Sequence, residues 1–287
     1  SKLYVNAGKV TNKGIELALG FKQNIGPVDW KTTLLWSLNR NRIDQLLPEY
    51  TNEELGVTVH LDEMDVYSLG GAKQRLTVGG SMGDVYVNTM RTDEHGYIWM
   101  NSMTGALETD KNNYVYAGNT NPKYTLSWRN EFNWKGISLG FMLNARVGGI
   151  GVSATQAVMD YYGVSKTSAE ARDNGGVKVN GQIIDAQTWY QTIGANGTGY
   201  VGSMYVYSMT NVRLGELTLG YDIPINKWGK WISGLNVSFV GRNLWMLYCK
   251  APFDPESTAS TGTYNQGMDY FMQPSLRSMG FSAKISF

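Results

Sequence analysis

The chain has 287 residues, enough for one large domain or two small ones. Its formal net charge of +1 removes the electrostatic argument for nucleic-acid binding. Charged residues make up 17% of the chain, below the roughly 25% that is usual in soluble domains, whereas 18 Tyr and 9 Trp make it rich in aromatic residues. A single cysteine, Cys249, excludes an intrachain disulfide framework and an all-cysteine metal site.

Seven segments alternate between apolar and polar residues, and no apolar run reaches the roughly 18 residues of a transmembrane helix. Because successive side chains of a strand point to opposite faces, each segment predicts a strand with one apolar face. The predicted strands are 15–22, 30–42, 124–132, 137–147, 212–221, 235–240 and 276–287. Strands of roughly 10 residues suit a tilted crossing of a bilayer, so we predict a transmembrane antiparallel β-barrel.

The connections between these strands alternate in length. Long polar segments at about 47–122, 148–210 and 248–274 are predicted extracellular loops, and the short connections are predicted periplasmic turns, one of them holding Pro224 and Trp228. Residues 1–13 are predicted to be a loop. Seven strands cannot close an even-stranded barrel, and an open sheet in lipid leaves unpaired backbone groups. We therefore expect the chain to be the C-terminal part of a larger barrel, with the end of its last strand at the periplasmic rim.

Several motifs resemble those of SusC/RagA-type TonB-dependent transporters. Residues 212–224, VRLGELTLGYDIP, resemble the penultimate-hairpin signature of that family. The segments GRNL at 241–244 and DPE at 254–256 resemble the next strand and the loop after it. Upstream, VTNKGIEL at 10–17 and GNTNPK at 118–123 are similar to further family motifs. The matches span essentially the whole chain in family order, which makes the resemblance specific.

This resemblance implies an all-β outer-membrane barrel of roughly 22 strands, of which residues 1–287 supply about the last seven. The plug domain is expected outside this chain. The implied function is TonB-energised import of oligosaccharides or peptides across the outer membrane of a Gram-negative bacterium of the Bacteroidota. The implied partners are the upstream part of the same transporter, a SusD-like lipoprotein, TonB acting through the plug, the substrate, and the surrounding lipid and lipopolysaccharide. Neither catalysis nor a cofactor is expected.

Aromatic residues of the long loops are the predicted substrate or partner contacts, because rings stack on sugar faces and on peptide side chains. The set is Tyr161, Tyr162, Trp189, Tyr190, Tyr200, Tyr205, Tyr264 and Tyr270. The alternative is that these rings pack the loops onto each other or onto the lipoprotein. Tryptophans within strands are assigned instead to an aromatic girdle: Trp30, Trp36, Trp128 and Trp245.

Two further sets follow from the face that each strand residue occupies. In the last strand, the apolar face ends with an aromatic pattern that we interpret as a membrane-assembly signal: Phe281, Ile285 and Phe287. The second set lies on the polar face of two central strands, 124–132 and 137–147. Its four residues are predicted to line the barrel interior, where they contact the plug or the substrate: Arg129, Glu131, Asn144 and Arg146.

Motifs typical of enzymes are weak in this sequence. The segment 79–83 matches a nucleophile elbow, but a strand-like run follows where that motif needs a helix. The segment 197–202 matches a dinucleotide fingerprint by spacing alone. His60 and His95 are predicted to be solvated, as are Asp254 and Glu256, whose alternative role is calcium binding. The competing hypotheses are a soluble all-β glycan-binding module and, less favoured, an outer-membrane barrel enzyme.

Overall fold

A computed structural model describes residues 8–53, 56–101, 103–197, 199–225, 232–257 and 264–287. Trp228 and residues 1–7 of the predicted first loop lie outside these ranges. The chain begins with a long hairpin of β1 and β2, Lys9–Ile25 and Val28–Gln45. The predicted loop 1–13 is therefore wrong from Lys9 onward. Asn12 and Lys13 pair with Asn41 and Arg40, because backbone pairing does not require apolar side chains.

Six strands fill most of the first long segment, which was predicted to be a loop. Their bounds are β3 Leu47–Asn52, β4 Val57–Leu61, β5 Glu63–Leu69, β6 Ala72–Thr77, β7 Asp84–Met90 and β8 Thr109–Asn119. The strands β3 and β4 form a hairpin, and β5 to β8 form a four-stranded sheet. Register shifts in both assemblies interrupt the alternation, which explains why the sequence pattern was unclear.

A second long hairpin follows, formed by β9, Tyr124–Trp134, and β10, Ile137–Val147. Its two-residue turn has Lys135 and Gly136 at φ of 46° and 84°. Positive φ at both central positions is typical of the type I′ turn, whose twist matches that of the flanking strands. The predicted bounds of β10 are confirmed, and its residues alternate between apolar and polar except at Met142, which lies on the polar face.

Short helices and strands occupy the second long segment. In chain order they are β11 Ile150–Ser153, α1 Ala154–Tyr161, α2 Lys166–Asp173, β12 Val177–Val179, β13 Gln182–Ile184, α3 Ala186–Gly194, two 3₁₀ turns at Ala195–Gly197 and Gly202–Tyr205, and β14 Val206–Ser208. Ser153, Ser165 and Asp185 cap the three helices by accepting hydrogen bonds from the backbone N–H groups three residues further on. Among the described residues, no helix is both long and apolar enough to cross a membrane.

The remaining strands are β15 Asn211–Ile223, β16 Gly234–Cys249, β17 Met268–Asp269 and β18 Ser278–Ser286. The strand β16 extends well beyond the predicted 235–240. It passes through Asn243, whose φ is +51°, and the register to β15 shifts opposite this region. This irregularity breaks the alternation of apolar residues without ending the strand.

Seven strands form one antiparallel sheet in the order β1-β2-β9-β10-β15-β16-β18. The register places apolar residues opposite one another from strand to strand. One such row joins Leu19, Leu34, Trp128 and Leu143. Another row joins Leu139, Leu219, Phe239 and Phe281. One face of the whole sheet is therefore apolar, whereas the total number of strands in a complete barrel stays a prediction.

The three long segments share one hydrophobic core. We call the assembly of β5 to β8, β11 to β14, α1 to α3 and β17 the loop subdomain. Its buried core draws residues from all three segments: Ala72, Val85, Val87, Met90, Val152, Ala154, Ala157, Val179, Trp189, Ile193, Tyr200, Val201, Tyr205 and Met268. Sequence-distant segments are thus held together by burial of apolar surface, and they form a folded unit at one end of the large sheet.

Candidate functional site

The large sheet presents two chemically different faces. On β1, the side chains of Ile15, Leu17, Leu19 and Phe21 are about half exposed on the apolar face. The opposite face carries a chain of ion pairs that extends across five neighbouring strands, from β2 to β16. Its members are Lys31 with Glu131 at 3.8 Å, Glu131 with Arg129 at 2.8 Å, Arg129 with Glu216 at 3.8 Å, and Glu216 with Arg242 at 3.6 Å. An apolar outer face and a polar inner face are typical of a barrel wall in a membrane.

All four residues predicted to line the interior lie on this polar face. Arg129 and Glu131 belong to the chain of ion pairs. The amide oxygen of Asn144 accepts a hydrogen bond of 2.9 Å from the Ser127 hydroxyl. The Arg146 guanidinium donates at 2.6 Å to the carbonyl oxygen of Thr120, the residue that follows β8. Arg146 therefore links the barrel wall to the loop subdomain, while its contact with a plug or substrate stays a prediction.

The strand tryptophans lie on the apolar face, together with ring partners. Trp30 stacks on Phe132 with ring centroids 6.1 Å apart, and its indole N–H donates to Asn130 at 3.1 Å. The Trp128 indole N–H donates to Thr32 at 2.9 Å. Trp36 lies 6.5 Å from the Tyr124 ring, and Trp245 is 64% exposed. An apolar ring with a satisfied N–H suits the membrane interface that the girdle hypothesis requires.

Three of the predicted contact aromatics are core residues, so their assignment to ligand binding is wrong for this conformation. Trp189 is 8% exposed, and Tyr200 and Tyr205 are completely enclosed. The Tyr200 hydroxyl donates to the carbonyl of Leu69 at 2.6 Å, which joins the second long segment to the first. Burial raises the pKa of both tyrosine hydroxyls and keeps them neutral. The alternative hypothesis, that loop aromatics pack the loops together, holds for these three residues.

The other five predicted aromatics reach the surface of the loop subdomain. Tyr161, Tyr162 and Tyr190 border one cavity of about 430 Å³ between the helices, and the first two rings pack edge to face at 5.1 Å. The Tyr190 hydroxyl donates to the Thr167 carbonyl at 3.3 Å. Tyr264 and Tyr270 are exposed on the third long segment. All five remain candidate substrate or partner contacts.

A larger cavity of about 910 Å³ lies where the barrel wall meets the loop subdomain, and we call it the junction pocket. Amide side chains are its commonest lining groups: Asn12, Asn39, Asn41, Asn119 and Asn121. Arg40, Arg42 and Lys123 supply positive charge, and Asp84 is the carboxylate in the lining. The sequence analysis missed this site. Its signal was the repeated occurrence of Asn at the ends of predicted strands, close to basic residues.

The loop 79–84 anchors the loop subdomain to β2 at this pocket. The backbone groups of Ile43 exchange hydrogen bonds of 2.8 Å with Gly79 and Gly80. The Asn41 amide oxygen accepts from the Met82 N–H at 2.9 Å and from the Ser81 hydroxyl at 3.3 Å. Because β7 begins at once after this loop, the resemblance to a nucleophile elbow is coincidental, as the sequence indicated.

The buried carboxylate of this region is stabilised by neutral donors. Asp84 accepts hydrogen bonds from the Ser81 N–H at 2.8 Å, the Asn119 amide at 2.7 Å and the Tyr116 hydroxyl at 3.4 Å. A carboxylate that is fully hydrogen-bonded is satisfied without a cation. Its oxygens are therefore occupied by neutral donors, and Asp84 forms no ion pair with the described basic residues of the junction pocket.

Three of the family-like motifs meet in a buried ion-pair network around Arg213. Its guanidinium contacts Asp254 at 2.9 Å and Glu256 at 3.3 Å, and it donates to the Asn243 amide oxygen at 3.1 Å. Arg213 belongs to the VRLGE segment, Asn243 to GRNL and the two carboxylates to DPE. The network fastens the third long segment to the barrel wall, and Ser275 closes it by donating to Asp254 through its N–H and its hydroxyl.

This network corrects the prediction that Asp254 and Glu256 are simply solvated. Burial alone raises the pKa of Asp254, but hydrogen bonds from Ser275, the Glu256 N–H and Arg213 outweigh it and lower the pKa to about 2. Asp254 therefore uses its oxygens within the protein. Within the described ranges, no group of three or more His, Cys, Asp or Glu side chains is placed to hold a metal ion.

The two histidines lie in exposed, separate surroundings. His60 is 2.9 Å from Asp62, and His95 is 3.5 Å from Glu94. Both imidazoles are more than half exposed, as predicted for solvated loop residues. Ser81, the other residue on which an enzyme hypothesis depends, donates to an asparagine instead of a histidine.

No family model matches the chain. It is 22% identical over 307 residues to the TonB-dependent receptor P3 of Formosa agariphila, and the match covers 98% of this chain. The solved RagAB peptide transporter covers 97% of the chain at 16% identity with a TM-score of 0.64. The resemblance to SusC/RagA-type TonB-dependent transporters is confirmed.

Two further RagAB structures support the same fold. The peptide importer in its 'open-open' state covers 98% of the chain at 15% identity with a TM-score of 0.63. The importer in its 'closed-closed' state covers 97% of the chain at 16% identity with a TM-score of 0.60. The chain is all-β in its wall and has the fold of part of the RagA barrel. The chain spans 29% of the length of each of these proteins. These similar proteins are a receptor and transporters, which agrees with the prediction of a non-enzymatic protein.

Proposed function

We propose that this chain forms part of the wall and of the extracellular substrate-capturing region of a TonB-energised outer-membrane importer. One observation carries the proposal. A sheet with an apolar face and an ion-paired face carries a folded subdomain at the end where its long connections meet. The apolar face suits contact with lipid and lipopolysaccharide, and the polar face suits a hydrated interior that holds a plug. The loop subdomain then lies on the side from which substrate arrives.

The substrate class in this proposal is oligosaccharides or peptides. Similarity to the RagAB peptide transporter favours peptides, whereas exposed tyrosines serve either class because rings stack on both. The proposed partners are the upstream part of the same transporter, a SusD-like lipoprotein above the loop subdomain, and TonB acting through the plug. The similarity to a receptor of Formosa agariphila supports a Gram-negative source in the Bacteroidota.

The proposal assigns the barrel wall and the loop subdomain to different tasks, which a deletion can separate. Arg146 of β10 pairs with Asn211 of β15, so a four-residue turn can replace residues 148–210 without disturbing the strands below. We expect the shortened transporter to assemble in the outer membrane and to lose most uptake of labelled peptide or oligosaccharide. Heat-modifiable migration in gels reports assembly, and cell-associated label reports uptake.

Two controls make this experiment decisive. Uptake by the unaltered transporter is measured with and without TonB, because energised import requires it. The substitution Lys178→Gln, at an exposed residue of β12, tests whether any change in the subdomain abolishes uptake. Normal uptake by the 148–210 deletion, or its failure to insert, contradicts the proposed division.

We also propose that β18 supplies an assembly signal through Phe281, Ile285 and Phe287. Phe281 is 84% exposed on the apolar face and packs edge to face on Phe239 at 5.6 Å. Phe287→Ser is expected to lower the amount of barrel inserted in the outer membrane, with Ser286→Thr as the control on the polar face. Equal insertion of both variants argues against an assembly role.

A further inference from the structure

We infer that the junction pocket is a subsite for a carboxylate-bearing oligopeptide, with Arg40 and Lys123 as the groups that recognise the carboxylate. The inference rests on the proposed import function and adds a specificity to it. Its basis is the charge, the amide lining and the position of the pocket.

The charges of the pocket are unbalanced. Arg42 has a carboxylate neighbour, since its guanidinium lies 3.8 Å from Asp44. Within the described part of the chain, Arg40 and Lys123 have no acidic group within 4.0 Å. The carboxylate of Asp84 is already satisfied by neutral donors. Arg40 and Lys123 therefore line, without an ion-pair partner among the described residues, a cavity in which three basic residues outnumber the single carboxylate of Asp84.

Arg40 is also held in place. Its Nη1 donates to the carbonyl oxygens of Lys123 at 2.9 Å and of Asn39 at 3.3 Å. These bonds join β2 to the residue just before β9 and fix the guanidinium against the Lys123 backbone, beyond the last residue pair of the two strands, Ser37 and Thr125. A guanidinium has five N–H donors, so those not used for the carbonyls remain suited to a carboxylate. Preorganised charge of this kind lowers the entropy cost of binding.

The amide lining suits a peptide backbone. Asn39 and Asn121 are exposed at the pocket, and each amide combines donor and acceptor groups as a peptide bond does. Asn12 and Asn41 support this lining, because the Asn41 amide donates to the Asn12 oxygen at 2.9 Å. The exposed ring of Tyr116 offers an apolar surface for a substrate side chain.

The size and position of the pocket fit a substrate path. Its volume of about 910 Å³ lies near the upper end of the roughly 300–1,000 Å³ of small-ligand sites, which is enough for several residues. Ser37, Asn39 and Thr125 contribute from the polar face of the barrel wall, while Ser81 and Asn119 contribute from the loop subdomain. A peptide bound here lies at the end of the barrel wall, against the loop subdomain.

The test uses the complete transporter and two fluorescent hexapeptides of Gly and Ser. One peptide ends in Asp-Asp with a free carboxylate, and the other replaces both by Asn and is amidated. We expect the double variant Arg40→Gln/Lys123→Gln to weaken binding of the acidic peptide by at least about tenfold. The reason is that a hydrogen bond between charged groups typically contributes a factor of about ten or more to the affinity. Binding of the neutral peptide should change less than twofold. Lys178→Gln, an exposed lysine of β12, is the matched control.

The outcomes separate this inference from the proposed function. Equal weakening for both peptides, or equal affinity of the unaltered transporter for both, overturns the carboxylate subsite while import stands. Tight binding of a uronic-acid oligosaccharide with no binding of the acidic peptide overturns the assignment to peptides. Absence of TonB-dependent uptake of every peptide and oligosaccharide tested overturns the proposed function itself. Because Arg40 and Lys123 are exposed, normal heat-modifiable migration of the double variant verifies its folding.

Discussion

At the scale of single residues, Arg213 joins the barrel wall to the third long segment. Its side chain is 5% exposed and contacts two carboxylates that lie some forty residues further along the chain. Removing one partner of a buried ion pair is costly, because the other charge is left without compensation. The motif resemblance indicated that these segments belong to one family pattern, and the structure adds that they meet in space.

We predict that Arg213→Ala releases the third long segment. Because the substitution leaves the carboxylates of Asp254 and Glu256 without their cation, it should destabilise the folded segment by about 3 kcal/mol or more. The chain between β16 and β18 should then become accessible to protease. Limited trypsin digestion of the assembled transporter reports this as faster cleavage after Lys250. Arg172→Ala, at an exposed arginine of α2, is the control and should leave the cleavage rate unchanged. Equal rates for both variants show that the network does not hold this segment.

The same network predicts that the stability of the folded state falls at acidic pH. The pKa of Asp254 is lowered in the folded state from 3.8 to about 2, so the folded state binds fewer protons than the unfolded state between these values. The stabilisation is fully present above about pH 4 and is lost as the pH falls toward 2. Pepsin digestion between pH 2 and 4.5, normalised to a denatured substrate, should accelerate over this window. Asp254→Asn should remove the pH dependence, and a persisting dependence contradicts its assignment to Asp254.

Residue-level sequence analysis succeeded where a side chain's face decides its role. The parity of the strands placed Arg129 and Glu131 on the polar face and Phe281 on the apolar face. It failed for Trp189, Tyr200 and Tyr205, because aromatic residues suit a core and a binding surface equally. Only the packing of sequence-distant segments distinguishes these two roles.

At the scale of elements, the period of two identified strands that cross the sheet without interruption. The strand β10 was predicted to the residue, while β1, β2 and β16 extend beyond their predicted ends. Outside the apolar band both faces of a strand meet polar surroundings, so alternation stops before the hydrogen-bonded strand does. The three helices escaped prediction because each has eight or nine residues and relies on the shared core for stability.

We predict that Tyr200→Ala loosens the loop subdomain and leaves the barrel intact. The substitution removes a fully buried ring and its hydrogen bond to Leu69, a loss of about 3–5 kcal/mol for a core aromatic. Hydrogen exchange should increase in β7 and α3 and stay unchanged in β10. Tyr97→Ala, at a tyrosine that is 57% exposed, is the control. Increased exchange in β10 contradicts the independence of the two units.

At the scale of the whole molecule, the order of the seven strands in the sheet follows their order in the chain. Sequential hairpins make such an order the simplest one, so alternation and connection lengths together were sufficient to predict the wall. The joining of three long connections into one subdomain was not predictable in this way. It depends on contacts such as Gly202 with Asn88 and Val152 with Gly267, which short-range patterns do not report.

The central claim is that one face of the sheet meets lipid and the other faces the barrel interior. Spin labels at single cysteines introduced at positions 15 to 21 of β1 test it in the complete transporter, with Cys249 replaced by Ser, in lipid bilayers. The account predicts that oxygen accessibility alternates with a period of two, high at Ile15, Leu17, Leu19 and Phe21 and low at Glu16, Ala18 and Gly20. Uniform accessibility to a water-soluble nickel complex at all seven positions would contradict it.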